Sequence, residues 1–171
     1  MVDFKLPKLI KLSLVLMLYL IDGHNLIPKL GLHLDALDDE DDLISRLQEF
    51  CRLRRALVEV YFDGALPGQA PMRQAGAVTA HFVRRESSAD AAIEIRLVRL
   101  GKAARNWTVV SSDGRVQRSG EAVHASVLSS EEFAREMSKA LLLGVSVKKH
   151  EATLAPEEVE EWLEFFNRKR G

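Results

Sequence analysis

Six apolar residues, Leu16-Met17-Leu18-Tyr19-Leu20-Ile21, run without a break into Asp22-Gly23-His24-Asn25. A short apolar run closed by turn residues reads as a strand buried on both faces, which is the signature of a parallel sheet. In an open α/β sheet the functional groups stand just past the carboxyl ends of the strands, and that is where Asp22 falls. The pattern recurs. Ala56 to Phe62 closes on Asp63-Gly64, and Trp107 to Val110 leads into Ser111-Ser112-Asp113-Gly114.

The intervening segments supply the rest of an α/β order. Leu26 to Leu37 carries Pro28 and Gly31 and reads as a loop or broken helical turn. The acidic run Asp38 to Asp42 precedes apolar residues at helical spacing from Leu43 to Leu53, where acids suit a helix N-terminus. Pro67, Gly68 and Pro71 mark a loop, Val78 to Val83 a third strand, and Arg84-Arg85-Glu86 a polar turn. Ser87 or Ser88 caps a helix running to about Gly101. His124 to Leu128 reads as a fifth strand, and Ser129-Ser130-Glu131-Glu132 opens a helix to about Leu142. Alternating strands and helices predict a three-layer α/β/α sandwich with a mainly parallel sheet of about five strands. Residues 16–144 form its domain. Residues 1–15 read as an N-terminal extension, with Met17 as an alternative initiator. Residues 145–171 read as a tail whose amphipathic stretch, Pro156 to Phe166, carries Trp162, Phe165 and Phe166. Covering a hydrophobic flank is the first expectation for those aromatics, and contact with RNA or a partner the second.

Composition removes several function classes. The 171 residues carry 24 basic and 25 acidic side chains, so no global positive field draws the chain to nucleic acid and any such contact must be local. Cys51 is the one cysteine, which excludes an internal disulfide and a cysteine-based zinc site; its place in a helix reads as a small buried hydrophobe. Lys5, Lys8 and Lys11 before an apolar stretch imitate a signal peptide, but no small-residue cleavage site follows and the run is too short to span a membrane. The expectation is a cytoplasmic protein without membrane contact. No Gly-x-Gly-x-x-Gly or P-loop lysine follows a strand, so no nucleotide cofactor is expected. Of the five histidines only His24 lies beside the strand-end acids.

If strands one, two and four run the same way, Asp22, Asp63 and Asp113 emerge at one edge, joined by Asp90 from the start of the helix after strand three. Taken singly, Asp63 and Asp113 fit ordinary Asp-Gly turns and Asp90 a first-turn acid. Asp22, between a buried strand and a polar turn, is hardest to explain as structure alone. Clustered carboxylates raise one another's pKa unless a cation compensates, and an all-oxygen set suits Mg²⁺ or Mn²⁺ over zinc. Such a site best supports phosphodiester hydrolysis. Glu40, in the acidic run, is a candidate further contributor, and Arg84 and Arg85 can hold an RNA phosphate. A phospho-acceptor signalling domain also gathers aspartates at strand ends, but the adjacent acidic pair expected after its first strand is missing.

The ordered pieces Tyr19-Leu20-Ile21-Asp22-Gly23-His24-Asn25-Leu26-Ile27, Val60-Tyr61-Phe62-Asp63-Gly64, Ser88-Ala89-Asp90-Ala91-Ala92-Ile93 and Val109-Val110-Ser111-Ser112-Asp113 resemble the YacP-like branch of the NYN domain family, within the PIN-like nuclease superfamily. The resemblance spans roughly Met17 to Leu142. It implies a PIN-like fold and an Mg²⁺- or Mn²⁺-dependent endoribonuclease acting on single-stranded or loosely structured RNA, in some relatives mRNA on the ribosome. It also implies metal-binding roles for Asp22, Asp90 and Asp113. Asn25 would orient Asp22 or the substrate phosphate, and Asp63 would serve as an auxiliary acid behind the ligands. His24 stands where the family commonly has tyrosine, and the family's fourth ligand has no secure counterpart beyond the candidate Glu40. A non-catalytic RNA-binding or ribosome-associated module on the same fold is the alternative.

Overall fold

The computed structural model of the chain describes residues 16–32 and 38–153. Its centre is β1 (Met17–Asp22), flanked by β2 (Ala56–Phe62) and β5 (Trp107–Val110), both parallel to it. β4 (Val78–Phe82) continues the parallel sheet beside β2, and β6 (Ser126–Leu128) does so beside β5. One antiparallel edge strand, β3 (Met72–Ala75), completes the order β3-β4-β2-β1-β5-β6. The sheet thus has six strands rather than about five. β3 falls in the expected loop because it is polar and mostly exposed, so it shows no apolar run; Gly76 at φ 59° turns it into β4.

Alternation along the central strands feeds two cores. Tyr19, Ile21, Val58, Val60 and Val110 face α2 (Asp39–Arg54) and α5 (Ser130–Thr153), where Tyr19, Phe50 and Phe133 meet ring to ring at 5.2–5.9 Å. Leu20, Tyr61 and Val109 face α3 (Ala89–Leu100) and α4 (Gly114–Ala122). Burial on both faces is why these strands read as continuous apolar runs. Cys51 is buried in α2, where burial pushes its thiol up to about 11.

Several local expectations need correction. Residues after Asp22 form a one-turn helix α1 (Gly23–Leu26) and a 3-10 turn (Ile27–Leu30), ending on Gly31 in the left-handed region. α4 was hidden because only Val116 and Gly120 of its nine residues are buried. His124 adopts φ 60° and precedes β6 instead of starting it. The helix expected to stop near Leu142 continues through Gly144 to Thr153, and a Cβ at Gly144 would meet Leu53 Cδ1 at 2.7 Å. Gly144 permits α5 to cross α2 closely. The expected extension (1–15) and the amphipathic stretch with Trp162, Phe165 and Phe166 lie outside the described residues.

Candidate active site

Five parallel strands send their carboxyl ends to one edge, and three aspartates there also hold helix starts. Asp22 is the N-cap of α1, with Oδ1 accepting from the Asn25 amide at 3.2 Å. Asp113 is the N-cap of α4, its Oδ1 accepting from the amides of Arg115 (2.7 Å) and Val116 (3.3 Å). Asp63 Oδ1 accepts from the Ala89 amide at 2.5 Å and so clips the end of β2 to the start of α3. Ser88 Oγ caps α3 from its own end, leaving the Asp90 carboxylate without a hydrogen bond among the described residues. Each of the three acids commits its Oδ1 to backbone, and its Oδ2 makes no backbone bond. Structural and chemical roles are compatible here.

The electrostatics mark the four as one group. Asp22 is only 6% exposed, and burial, followed by the charges of Asp90 and Asp63, pushes it up to about 6 against the opposing pull of the Asn25 amide. Asp90 is likewise raised, first by partial burial and then by Asp113 and Asp63. Arg115, whose charge opposes the rise of Asp90, is held by Glu94 through two bonds of 2.8 and 2.7 Å. The acidic edge is under-compensated.

The expected residues sort unevenly around it. Glu40 meets the residue that follows the Asp22-Gly23 turn. It bonds His24 Nε2 at 3.0 Å, and this contact raises the imidazole pKa. His24 in turn sits 5.6 Å from the Phe62 ring and acts on Asp22 by charge. Asn25 reaches Asp22 through its backbone only. Its side-chain oxygen accepts from the Ser112 amide (3.0 Å) and Ser130 Oγ (2.8 Å), tying the ends of β1 and β5 to the start of α5. Arg84 and Arg85 are exposed in the loop after β4 and make no ion pair among the described residues. Ser111 is the residue that sequence reasoning overlooked: fully buried, it donates to Asp22 Oδ2 at 3.4 Å and accepts from the Asp113 amide at 3.1 Å. Its signal was its place between a buried strand end and an aspartate. Gly23 is required by packing, since a Cβ there would overlap the Phe62 ring.

A family model described as the YacP-like NYN domain matches residues 19–164. The chain belongs to the YacP-like NYN family. NYN domains of this branch form a PIN-like nuclease family, and the sheet order above is its PIN-like fold. The crystal structure of Rae1 (YacP) from Bacillus subtilis is similar, at a TM-score of 0.65 and 26% identity over 90% of this chain and 94% of that one. A tryptophan-to-leucine variant of Rae1 gives a TM-score of 0.63 and 26% identity, with coverage of 86% and 91%. No curated protein matches the sequence. Among the described residues of this NYN domain, no helix is long and apolar enough to cross a membrane.

The NYN edge has the donor chemistry of a hard-cation site in an open form. Among the described residues no three His, Cys, Asp or Glu side chains converge tightly enough to hold an ion by themselves. Mg²⁺ is commonly bound through one or two carboxylates, with water and substrate phosphate filling the remaining positions. The carboxylates, only partly offset by the charges of His24 on Asp22 and Arg115 on Asp90, fit that arrangement as oxygen donors.

Proposed function

We propose that this NYN domain is a metal-dependent endoribonuclease that hydrolyses RNA phosphodiester bonds at the edge formed by Asp22, Asp90 and Asp113. The observation that supports the reading most strongly is Asp22, a buried carboxylate pushed up to about 6 among neighbouring acids with no partnering cation. Mg²⁺ or Mn²⁺, when bound, would supply phosphate polarisation and a nucleophile at neutral pH. Asp22, Asp90 and Asp113 would hold it, while the Asn25 amide and Ser111 hydroxyl fix the direction in which Asp22 points. Asp63 positions Asp90 by anchoring the first residue of α3. Glu40 acts through His24, as a positioning contact outside the ligand set.

The test is cleavage of a mixed RNA pool with Mn²⁺ and with EDTA. Metal-dependent cleavage that disappears in folded Asp22→Asn protein is expected; equal cleavage by the variant removes the reading. The open spacing of the carboxylates favours one second reading, a non-catalytic RNA-binding module. RNA binding unaffected by EDTA, without turnover on free RNA or on ribosome-presented mRNA, selects it.

A further inference from the structure

Beside the acidic edge lies a cavity of about 660 Å³, walled by the loop after β2 and closed on its other side by the turn after β4. Its walls are largely apolar, from Leu66, Pro67, Pro71 and Phe82, and its rim carries Arg84 and Arg85. The size falls within the range of small-ligand clefts, about 300–1,000 Å³.

The wall is built, not incidental. The Ala65 amide donates to the Val83 carbonyl (2.9 Å), and the Phe82 amide donates to the Pro71 carbonyl (2.9 Å), so both ends of the loop are tied to β4. Within it, the Gln69 amide bonds the Leu66 carbonyl at 3.0 Å and the Gln69 side chain accepts from the Leu66 amide at 2.8 Å. That turn holds Leu66 outward, 61% exposed at the mouth. Phe82 forms the floor, stacked on Phe62 at 5.6 Å, and Phe62 is the ring that packs against the Asp22-Gly23 turn. Asp63, which grips Ala89 beside Asp90, precedes the first residue of the cavity wall, Ala65, by two positions along the chain.

We propose that this cavity receives one unpaired nucleobase of a single RNA strand, with Arg84 and Arg85 on the adjoining phosphate. The inference rests on the ribonuclease reading and extends it to the seat of one base and the path of the strand. An apolar cleft rimmed by unengaged guanidinium groups matches a base and its phosphate, whereas a base inside a duplex is stacked and paired and cannot enter. The strand would therefore run along the sheet edge from the acidic group towards β4, and the enzyme would select locally unpaired RNA.

The experiment uses full-length Asp22→Asn protein with an oligoribonucleotide carrying 4-thiouridine, single-stranded or annealed to its complement. Expected are cross-links within residues 65–71 or 82–86 for the single strand, and at least a tenfold loss of affinity on adding Arg84→Glu with Arg85→Glu. Leu66→Asp, at an exposed position, should abolish the cross-link while the melting temperature stays unchanged. The same charge reversal at Lys102 and Arg105, exposed before β5 at the opposite edge, should change affinity far less. Cross-links elsewhere, equal duplex binding, or equal loss at Lys102 and Arg105 overturns the proposal, as does preferential retention of an unrelated peptide over RNA. The two readings separate. Wild-type cleavage without the cross-link removes the cavity's role alone, whereas the cross-link without wild-type cleavage removes the hydrolase alone.

Discussion

Glu59 and Asp22 stand on adjacent strands of one sheet, both largely buried, and the protein treats them oppositely. Burial raises Glu59, but the His81 imidazole 3.7 Å away and bonds from Arg96 and Tyr61 outweigh it and hold the carboxyl at about 2. Arg96 grips it with contacts of 2.6–3.2 Å, and the Tyr61 hydroxyl donates at 2.9 Å. Asp22 has an amide and a serine hydroxyl, with acids beyond them, and rises to about 6. Glu59 is a buried charge surrounded by its partners. On the ribonuclease reading, Asp22 is left to take a partner from outside the chain.

The largest break in this contrast should come from Asp22→Asn, which on the proposed function lowers RNA cleavage on the order of a thousandfold. Glu59→Gln should keep the activity per folded molecule; single-turnover assays on both variants decide whether the two carboxylates differ as described. Next is Arg96→Ala, which strands Glu59 without its guanidinium. With Arg96 side chain 34% exposed, the loss should be about 2 kcal/mol, below the value for a fully buried pair, and urea unfolding measures it.

The pH dependence sharpens the comparison because the signs differ. Glu59 ionises more readily in the folded state, so its contribution is present above its unfolded value of 4.5 and is lost as pH falls towards 2, on the order of 2 kcal/mol after allowance for screening. Asp22 retains its proton more tightly when folded. Between 3.8 and about 6 rising pH removes stability, and above that range the ionised group is a net cost. Asp22→Asn should accordingly be more stable than wild type at pH 7.5, by about 2 kcal/mol, and show no such gain below pH 4. Thermal unfolding of both proteins across that range checks it. The smallest effect is ligand-dependent: Mn²⁺ near its dissociation constant should raise the wild-type melting temperature by about 1 °C at pH 7.5, and that of Asp22→Asn by less.

What the sequence made legible follows from how strongly each segment is buried. β1, β2 and β5 were readable because they are covered on both faces, and their terminal aspartates followed with them. β3 and α4 were not, since one is a polar edge and the other touches the core at two residues. The four aspartates could be placed at one edge from strand order alone. Their second use as helix caps could not, nor could the tether from Asn25 to Ser112 and Ser130, because those depend on contacts 87 and 105 residues apart along the chain.

The placement of β1 also governs how the protein comes into being. Synthesised among the first elements, it becomes the middle of the sheet, and its second neighbour, β5, begins only at Trp107. A nascent chain can pair β1 with β2, and β2 with β4, while the other border of β1 stays open, a template for errant pairing until Val110 has emerged. The same delay withholds Asp113, the last of the four acids to be made. On the ribonuclease reading, the acidic group is incomplete until Asp113 has joined Asp22, Asp63 and Asp90.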